Sequence, residues 1–288
     1  MELIAAMLAI GATLCWGMDQ VLGKLSLRDI DFLTFNAMRP AFALIFVLPY
    51  VLFVERLAWG GLDLIVFAAL AGILAEFIGA ELYFYVMEKS KANLVIPVGN
   101  SDPLWASVFS ILLLGEKAEI VVFVSVALVT LGVFILNWES RRGSRGDLQS
   151  GVGLAALVAI LWGVSLPITK HCLEGGMSMT AVQLVRVTVA LLGCNVLILA
   201  RRTPMKRKTT PSRAFKITFI SGFLAFFLGF VLWLQALKME AASVISSFLG
   251  GKAFFGFIFC ALILKEKFTR RAVLGMVLTG LGLLLVSI

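Results

Sequence analysis

Seven ionisable side chains lie inside otherwise apolar runs of the 288-residue chain: Asp19, Glu76, Glu81 and Asp102, and against them Arg39, Arg186 and Lys252. A charge held at the centre of a bilayer costs about 2.5–3.5 kcal/mol on insertion scales, so such residues mark ion pairs, proton relays or a polar cavity. Asp102 sits in Asn100-Ser101-Asp102-Pro103, in the middle of the apolar segment 92–114. Pro103 there removes a backbone hydrogen bond and leaves a carbonyl in need of another partner. Lys252 lies 150 residues after Asp102, near the centre of another apolar run. Two readings of this couple stand side by side. In one, Lys252 meets a substrate carboxylate while Asp102, Asn100 or Glu76 meets an ammonium group. In the other, the two form a structural ion pair that needs no ligand.

Glu76 shares a helical face with Gly72, Gly79 and Tyr83 by spacing. A carboxyl at that depth can bind a proton reversibly and couple transport to a proton gradient, or simply hold a neighbouring helix. Asp19 and Glu81 lie nearer helix ends, and Asp19 has Lys24 or Arg39 as possible partners. Arg39 and Arg186 lie within about two turns of helix ends, where long basic side chains snorkel to water, so a structural role is expected of both. Trp16, Tyr83, Trp105, Trp162 and Trp233 can wall a cavity or cage a cation. Tyr83 and Trp233 stand out among them, because they recur at one spacing and carry a polar tip. His171 follows Lys170 at a helix end and reads as interfacial. Gly250-Gly251, immediately before Lys252, suits close packing or local unwinding.

These residues require a membrane scaffold. The chain is 60% hydrophobic and only 15% charged, with a mean hydropathy of +1.01, against about 45–50% and about 25% for soluble domains. Ten spans are expected, near 3–23, 32–54, 62–87, 92–114, 119–137, 151–170, 178–199, 215–237, 241–264 and 270–288. The first run lacks a basic leader and reads as a retained helix. Two halves, 1–138 and 151–288, flank the polar linker 139–150. They repeat each other: Trp16-Gly17 returns as Trp162-Gly163 and Arg39 as Arg186, 146 and 147 residues on. At a spacing of 150, Ala71-Gly72 meets Ser221-Gly222, Ala75 meets Ala225, Gly79 meets Gly229 and Tyr83 meets Trp233. Leu114-Gly115-Glu116-Lys117 likewise meets Leu264-Lys265-Glu266-Lys267. Five spans per half, an odd number, place the second half upside down relative to the first. The expected fold is thus an all-α integral membrane protein, ten transmembrane helices arranged as two inverted-topology five-helix repeats around a central cavity.

Loop charge orients it. One side carries 18 Lys and Arg and the other four, which puts the basic side in the cytoplasm and both termini outside. The net charge of +8 is explained by these loops and not by nucleic acid. Cys15, Cys172, Cys194 and Cys260 are scattered, without disulfide or metal spacing. A single histidine excludes a Ser/His/Asp set, and no phosphate-binding glycine loop is present, so neither an enzyme nor an ATP-driven pump is expected.

The Trp-Gly pairs, the early Arg of the second span, Tyr83-Phe84-Tyr85 before Lys91-Ala92 and Pro103, and Leu114-Gly115-Glu116-Lys117 together resemble the EamA-type branch of the drug/metabolite transporter superfamily. The likeness covers nearly the whole chain. Two features depart from it: Ala253 stands where the first half has Pro103, and better-known members have cytoplasmic termini. The resemblance implies a cavity formed by helices 1, 3, 4, 6, 8 and 9, peripheral helices 5 and 10, and ATP-independent transport of small metabolites. The expected function is a secondary active transporter of a small polar metabolite, an amino acid or similar zwitterion, by alternating access in the plasma (inner) membrane. An organic cation is the second substrate class, since acids outnumber bases, and a non-transporting scaffold the third reading. Substrate-binding positions are expected at Trp16, Asp19, Glu76, Tyr83, Asn100, Asp102, Trp162, Trp233 and Lys252. Partners are the lipid bilayer, the small-molecule substrate and possible coupling protons, with no metal or cofactor. An internally repeated chain needs no second copy to build a pathway, so a monomer is expected.

Overall fold

The computed structural model describes residues 2–89, 99–117, 120–136, 148–201, 211–264 and 270–287. Among these every regular element is helical. In chain order they are α1 (Leu3–Ser26), α2 (Phe32–Phe53), α3 (Leu62–Lys89), α4 (Asp102–Leu114), α5 (Ile120–Leu136), α6 (Leu148–Glu174), α7 (Met179–Arg201), α8 (Pro211–Met239), α9 (Ala242–Leu264) and α10 (Arg270–Ser287). Of these α1, α2, α3, α6, α7, α8 and α9 are long and apolar enough to cross a membrane, while α4, α5 and α10 are shorter apolar helices. The first part of the expected fourth span falls on 90–98, outside the described residues, as do the linker and Lys265-Glu266-Lys267.

Local chemistry sets the boundaries. The Asp31 carboxylate accepts the Thr34 amide at 3.0 Å and caps α2; such a cap contributes about 0.5–2 kcal/mol. The Glu116 carboxylate accepts the amides of both Ala242 and Ser243 at 2.7 Å and so caps α9 from across the molecule. Gly115, with φ +67°, ends α4 in the left-handed conformation. Pro103 does not kink a helix interior, as its place in the apolar run implied. It occupies the first turn of α4, where its missing N–H costs nothing.

Two interruptions were not foreseen. In α3 the stretch Ile73–Gly79 is π-helical, and in α8 so is Phe223–Leu228. The 3.6-residue spacing that placed Gly72, Glu76, Gly79 and Tyr83 on one face therefore does not hold across this segment. In α9 a 3-10 turn, Ser247–Gly250, precedes the α-helical part that starts at Gly251. The break at Asp102-Pro103 thus has a counterpart beside Lys252, although that half lacks the proline.

Packing repeats with the sequence. α1 lies against α8 and α9 as α6 lies against α3 and α4, α2 against α8 as α7 against α3, while α2 meets α7 and α5 meets α10. Exchanging each helix for the one five places on reproduces the same pairings. The glycines of the two Trp-Gly pairs make the close approaches: a Cβ on Gly17 would stand 2.7 Å from the Gly256 nitrogen, and one on Gly163 would stand 2.9 Å from the Ala106 nitrogen. Outer faces of α5 and α10 expose Phe123, Val124, Leu131, Leu274 and Leu281, a distribution suited to hydrocarbon.

Candidate functional site

A cavity of about 140 Å³ opens between the helices, of the same order as one that accepts a benzene-sized guest. Its wall takes Trp16, Asp19 and Gln20 from α1, Glu76, Tyr83 and Phe84 from α3, and Asp102 from α4. From the other half come Trp162, Ser165 and Thr169 of α6, Phe226, Phe230 and Trp233 of α8, and Leu249 and Lys252 of α9. Arg39 of α2 and Arg186 of α7 complete it. No lining residue comes from α5 or α10. Of the nine positions expected from sequence, eight line the cavity. Asn100 lies behind the wall, fully buried, with its side-chain oxygen accepting from Gln20 Nε2 at 3.1 Å.

Three acid–base pairs line this space. Lys252 Nζ donates to Asp102 Oδ2 at 2.7 Å, joining α9 to α4. Lys252 also stands 4.3 Å from the centroid of the Trp162 ring. Arg39 Nη2 donates to Asp19 Oδ2 at 2.5 Å, and Ser221 Oγ donates to Asp19 Oδ1 at 2.5 Å. Arg186 holds Glu76 with two bonds, Nη2 to Oε1 at 2.6 Å and Nε to Oε2 at 3.0 Å. Its remaining donors reach Ser165 Oγ at 3.2 Å and Thr169 Oγ1.

Both arginines correct the snorkelling expectation. Each is 4% exposed, and each guanidinium lies over aromatic rings, Arg39 over Phe35, Phe84 and Phe226, Arg186 over Phe230. Nearby carboxylates offset their burial better than a distant interface could. Glu76 is likewise held by two charge-assisted bonds and is not a loose carboxyl. Glu81 is buried outside the cavity wall, its Oε1 accepting the Cys194 thiol at 3.1 Å. His171 is exposed and meets Phe67 edge-on. Trp105 stacks on Phe109 away from the cavity.

The tryptophans of the two Trp-Gly pairs make equivalent bonds. Trp16 Nε1 donates to the Ala225 carbonyl and Trp162 Nε1 to the Ala75 carbonyl, both at 3.1 Å. Both acceptors lie in the π-helical stretches, where the widened register leaves carbonyls without their usual donor. Gly229 and Gly79 leave room for the two indoles. Trp16 packs on Trp233 and Trp162 on Tyr83, with ring centroids 5.1 and 5.0 Å apart.

Sequence reasoning missed Ser165, Thr169, Ser221 and Phe226. The signal was present in part: Ser165 lies 146 residues after Asp19, the spacing of the tryptophans, and Phe226 lies 150 after Glu76. The arginines recur in both halves, but their carboxylates trade places, Glu76 coming from α3 and Asp19 from α1.

A polar, internally paired cavity enclosed by lipid-compatible helices defines a multi-pass membrane protein built to admit a small polar solute. Comparison with known proteins agrees. The model of the EamA-like transporter family matches residues 3–138 and again 149–288; the chain belongs to this family and is a membrane transporter. It is 23% identical over 283 residues to an uncharacterized transporter of Archaeoglobus fulgidus, covering 98% of both chains. It also shares its fold with a crystal structure at 16% identity and a TM-score of 0.79, covering 98% of this chain and 95% of that one.

Proposed function

We propose that the protein carries a small zwitterion, an amino acid or a close analogue, by alternating access of two inverted five-helix repeats. The repeats are residues 1–138 and 151–288 joined by 139–150, and the short helices α4, α5 and α10 belong to membrane-crossing elements. Loop charge places the 18-cation side in the cytoplasm of a cell bounded by this membrane, with both termini outside.

One observation carries the substrate class: the cavity wall holds three carboxylates and three cations, and every one of them is paired within the protein. A wall in charge balance favours a solute that is itself balanced. A cationic drug would leave an uncompensated charge in low dielectric, which costs several kcal/mol. Lys252 receives the substrate carboxylate and Asp102 the ammonium group, replacing one internal pair by two intermolecular ones. Trp16, Tyr83, Trp162 and Trp233 enclose the rest of the solute, and the small volume restricts its size. Rocking of the halves about the cavity then exposes it to either side.

Uptake of a radiolabelled amino-acid mixture into liposomes holding the purified protein tests the reading. Uptake should be competed by unlabelled amino acids and not by quaternary amines, and should collapse in Lys252→Ala. Uptake unchanged by Lys252→Ala, or competed only by quaternary amines, overturns it. Absence of thermal stabilisation by any metabolite pool would point instead to a scaffold.

A further inference from the structure

The three ion pairs are not alike in how tightly they close. Arg186 spends its donors on both Glu76 oxygens, Ser165 and Thr169. Both Asp19 oxygens are taken, one by Arg39 and one by Ser221. The Lys252–Asp102 contact is a single bond, and Asp102 Oδ1 has no hydrogen-bond partner among the described residues. The Tyr83 hydroxyl, on the same cavity wall, has none either. A buried carboxylate oxygen and a buried phenol without partners are costly, and both face the space a solute enters. Lys252 keeps ammonium protons that meet only the π face of Trp162.

On the zwitterion reading above, we propose that Lys252–Asp102 is a reclosable latch that leaves the empty carrier free to reorient, making the protein a uniporter and not an obligatory exchanger. With solute bound, the carboxylate neutralises Lys252 and the ammonium group neutralises Asp102 through Oδ1. With solute gone, the two residues neutralise each other. Both states cross the occluded conformation with no uncompensated charge. A site of one sign would be trapped when empty, because desolvating a lone charge is far more expensive than desolvating a pair. The latch also bridges α4 and α9 through side chains alone, so opening it breaks one bond and no backbone structure. Transport of a zwitterion is then insensitive to membrane potential.

Liposomes holding the full-length protein, preloaded with a radiolabelled amino-acid mixture, read this directly. Efflux into amino-acid-free buffer is compared with efflux into buffer holding the unlabelled mixture. In the wild type the two rates are comparable, and a potassium diffusion potential changes neither. In Asp102→Asn, Lys252 stays unpaired in the empty carrier, so efflux into free buffer falls on the order of a hundredfold relative to exchange. Asp102→Glu keeps the pair and restores parity, which separates the charge effect from misfolding. Should Asp102→Asn not fold, Lys252→Met makes the mirror test, with Asp102 as the unpaired group. Wild-type efflux that requires external amino acid overturns the latch, as does equal slowing of both modes in the variants. No efflux in either mode from folded wild type refutes the zwitterion reading itself, and the latch falls with it.

Discussion

Replacing Arg186 by Met probes whether the closed pairs hold the two halves together. Glu76 is 6% exposed and takes both its acceptor bonds from Arg186. Hydrogen bonds to charged groups contribute about 1.5–3 kcal/mol each, so the two lost here come to about 3–6 kcal/mol. Stranding one member of a buried pair costs about 3–5 kcal/mol by direct comparison. The two routes agree, and either consumes a large part of a typical stability of about 5–15 kcal/mol. Met approximates the stem of Arg, so cavity formation adds little. The informative partner is Glu76→Leu/Arg186→Met, in which no charge remains to strand. Substituting a whole buried pair by apolar groups is often neutral or stabilising, so the double variant should be more stable than Arg186→Met by about 2–4 kcal/mol. Tryptophan-fluorescence unfolding in detergent, titrated with denaturant, measures both. Losses that simply add in the double variant, or an Arg186→Met protein within about 1 kcal/mol of wild type, would refute the reasoning and make the pair energetically idle.

Trp162→Phe keeps the ring packed on Tyr83 but strands the Ala75 carbonyl, at about 1–3 kcal/mol. Trp16→Phe should lose a similar amount through Ala225, and a thermal-shift comparison that finds only one of them destabilised would break the equivalence of the halves. Glu116→Gln removes the charged cap on the Ala242 and Ser243 amides and should cost about 0.5–2 kcal/mol. Hydrogen–deuterium exchange should show the loss first in the opening turn of α9, and uniform loosening elsewhere would contradict the capping role.

What the chain disclosed in advance follows the residues whose meaning is periodic. Apolar run lengths located the helices, and the constant 150-residue register brought Asp102 opposite Lys252 before any coordinates were seen. Four aromatic positions of the wall were found the same way. The arginines were misjudged because a helix-end position was taken for access to water, whereas Asp19 and Glu76 reach them from other helices. Such contacts come from tertiary packing, which spacing along one chain does not encode. The π-helical stretches were equally hidden. Ile-Leu-Ala-Glu-Phe-Ile-Gly reads as an unremarkable helical segment, and its extra residue per turn emerges only when Trp162 claims the Ala75 carbonyl from α6. Pro103 was legible as a break, but its place at a helix start depends on residues before it.

The widened turns of α3 and α8 make these two helices intolerant of changes in length. A π-helical stretch amounts to one surplus residue, and deleting any residue from 73–79 would let the backbone relax to the ordinary register. All that follows would then swing by roughly 100° about the axis, turning Tyr83 out of the wall and stranding the indole of Trp162. The same excision in 223–228 would swing Trp233 away. Exposed connections elsewhere can grow or shrink over evolutionary time, but in the middle of these helices the residue count itself is under selection.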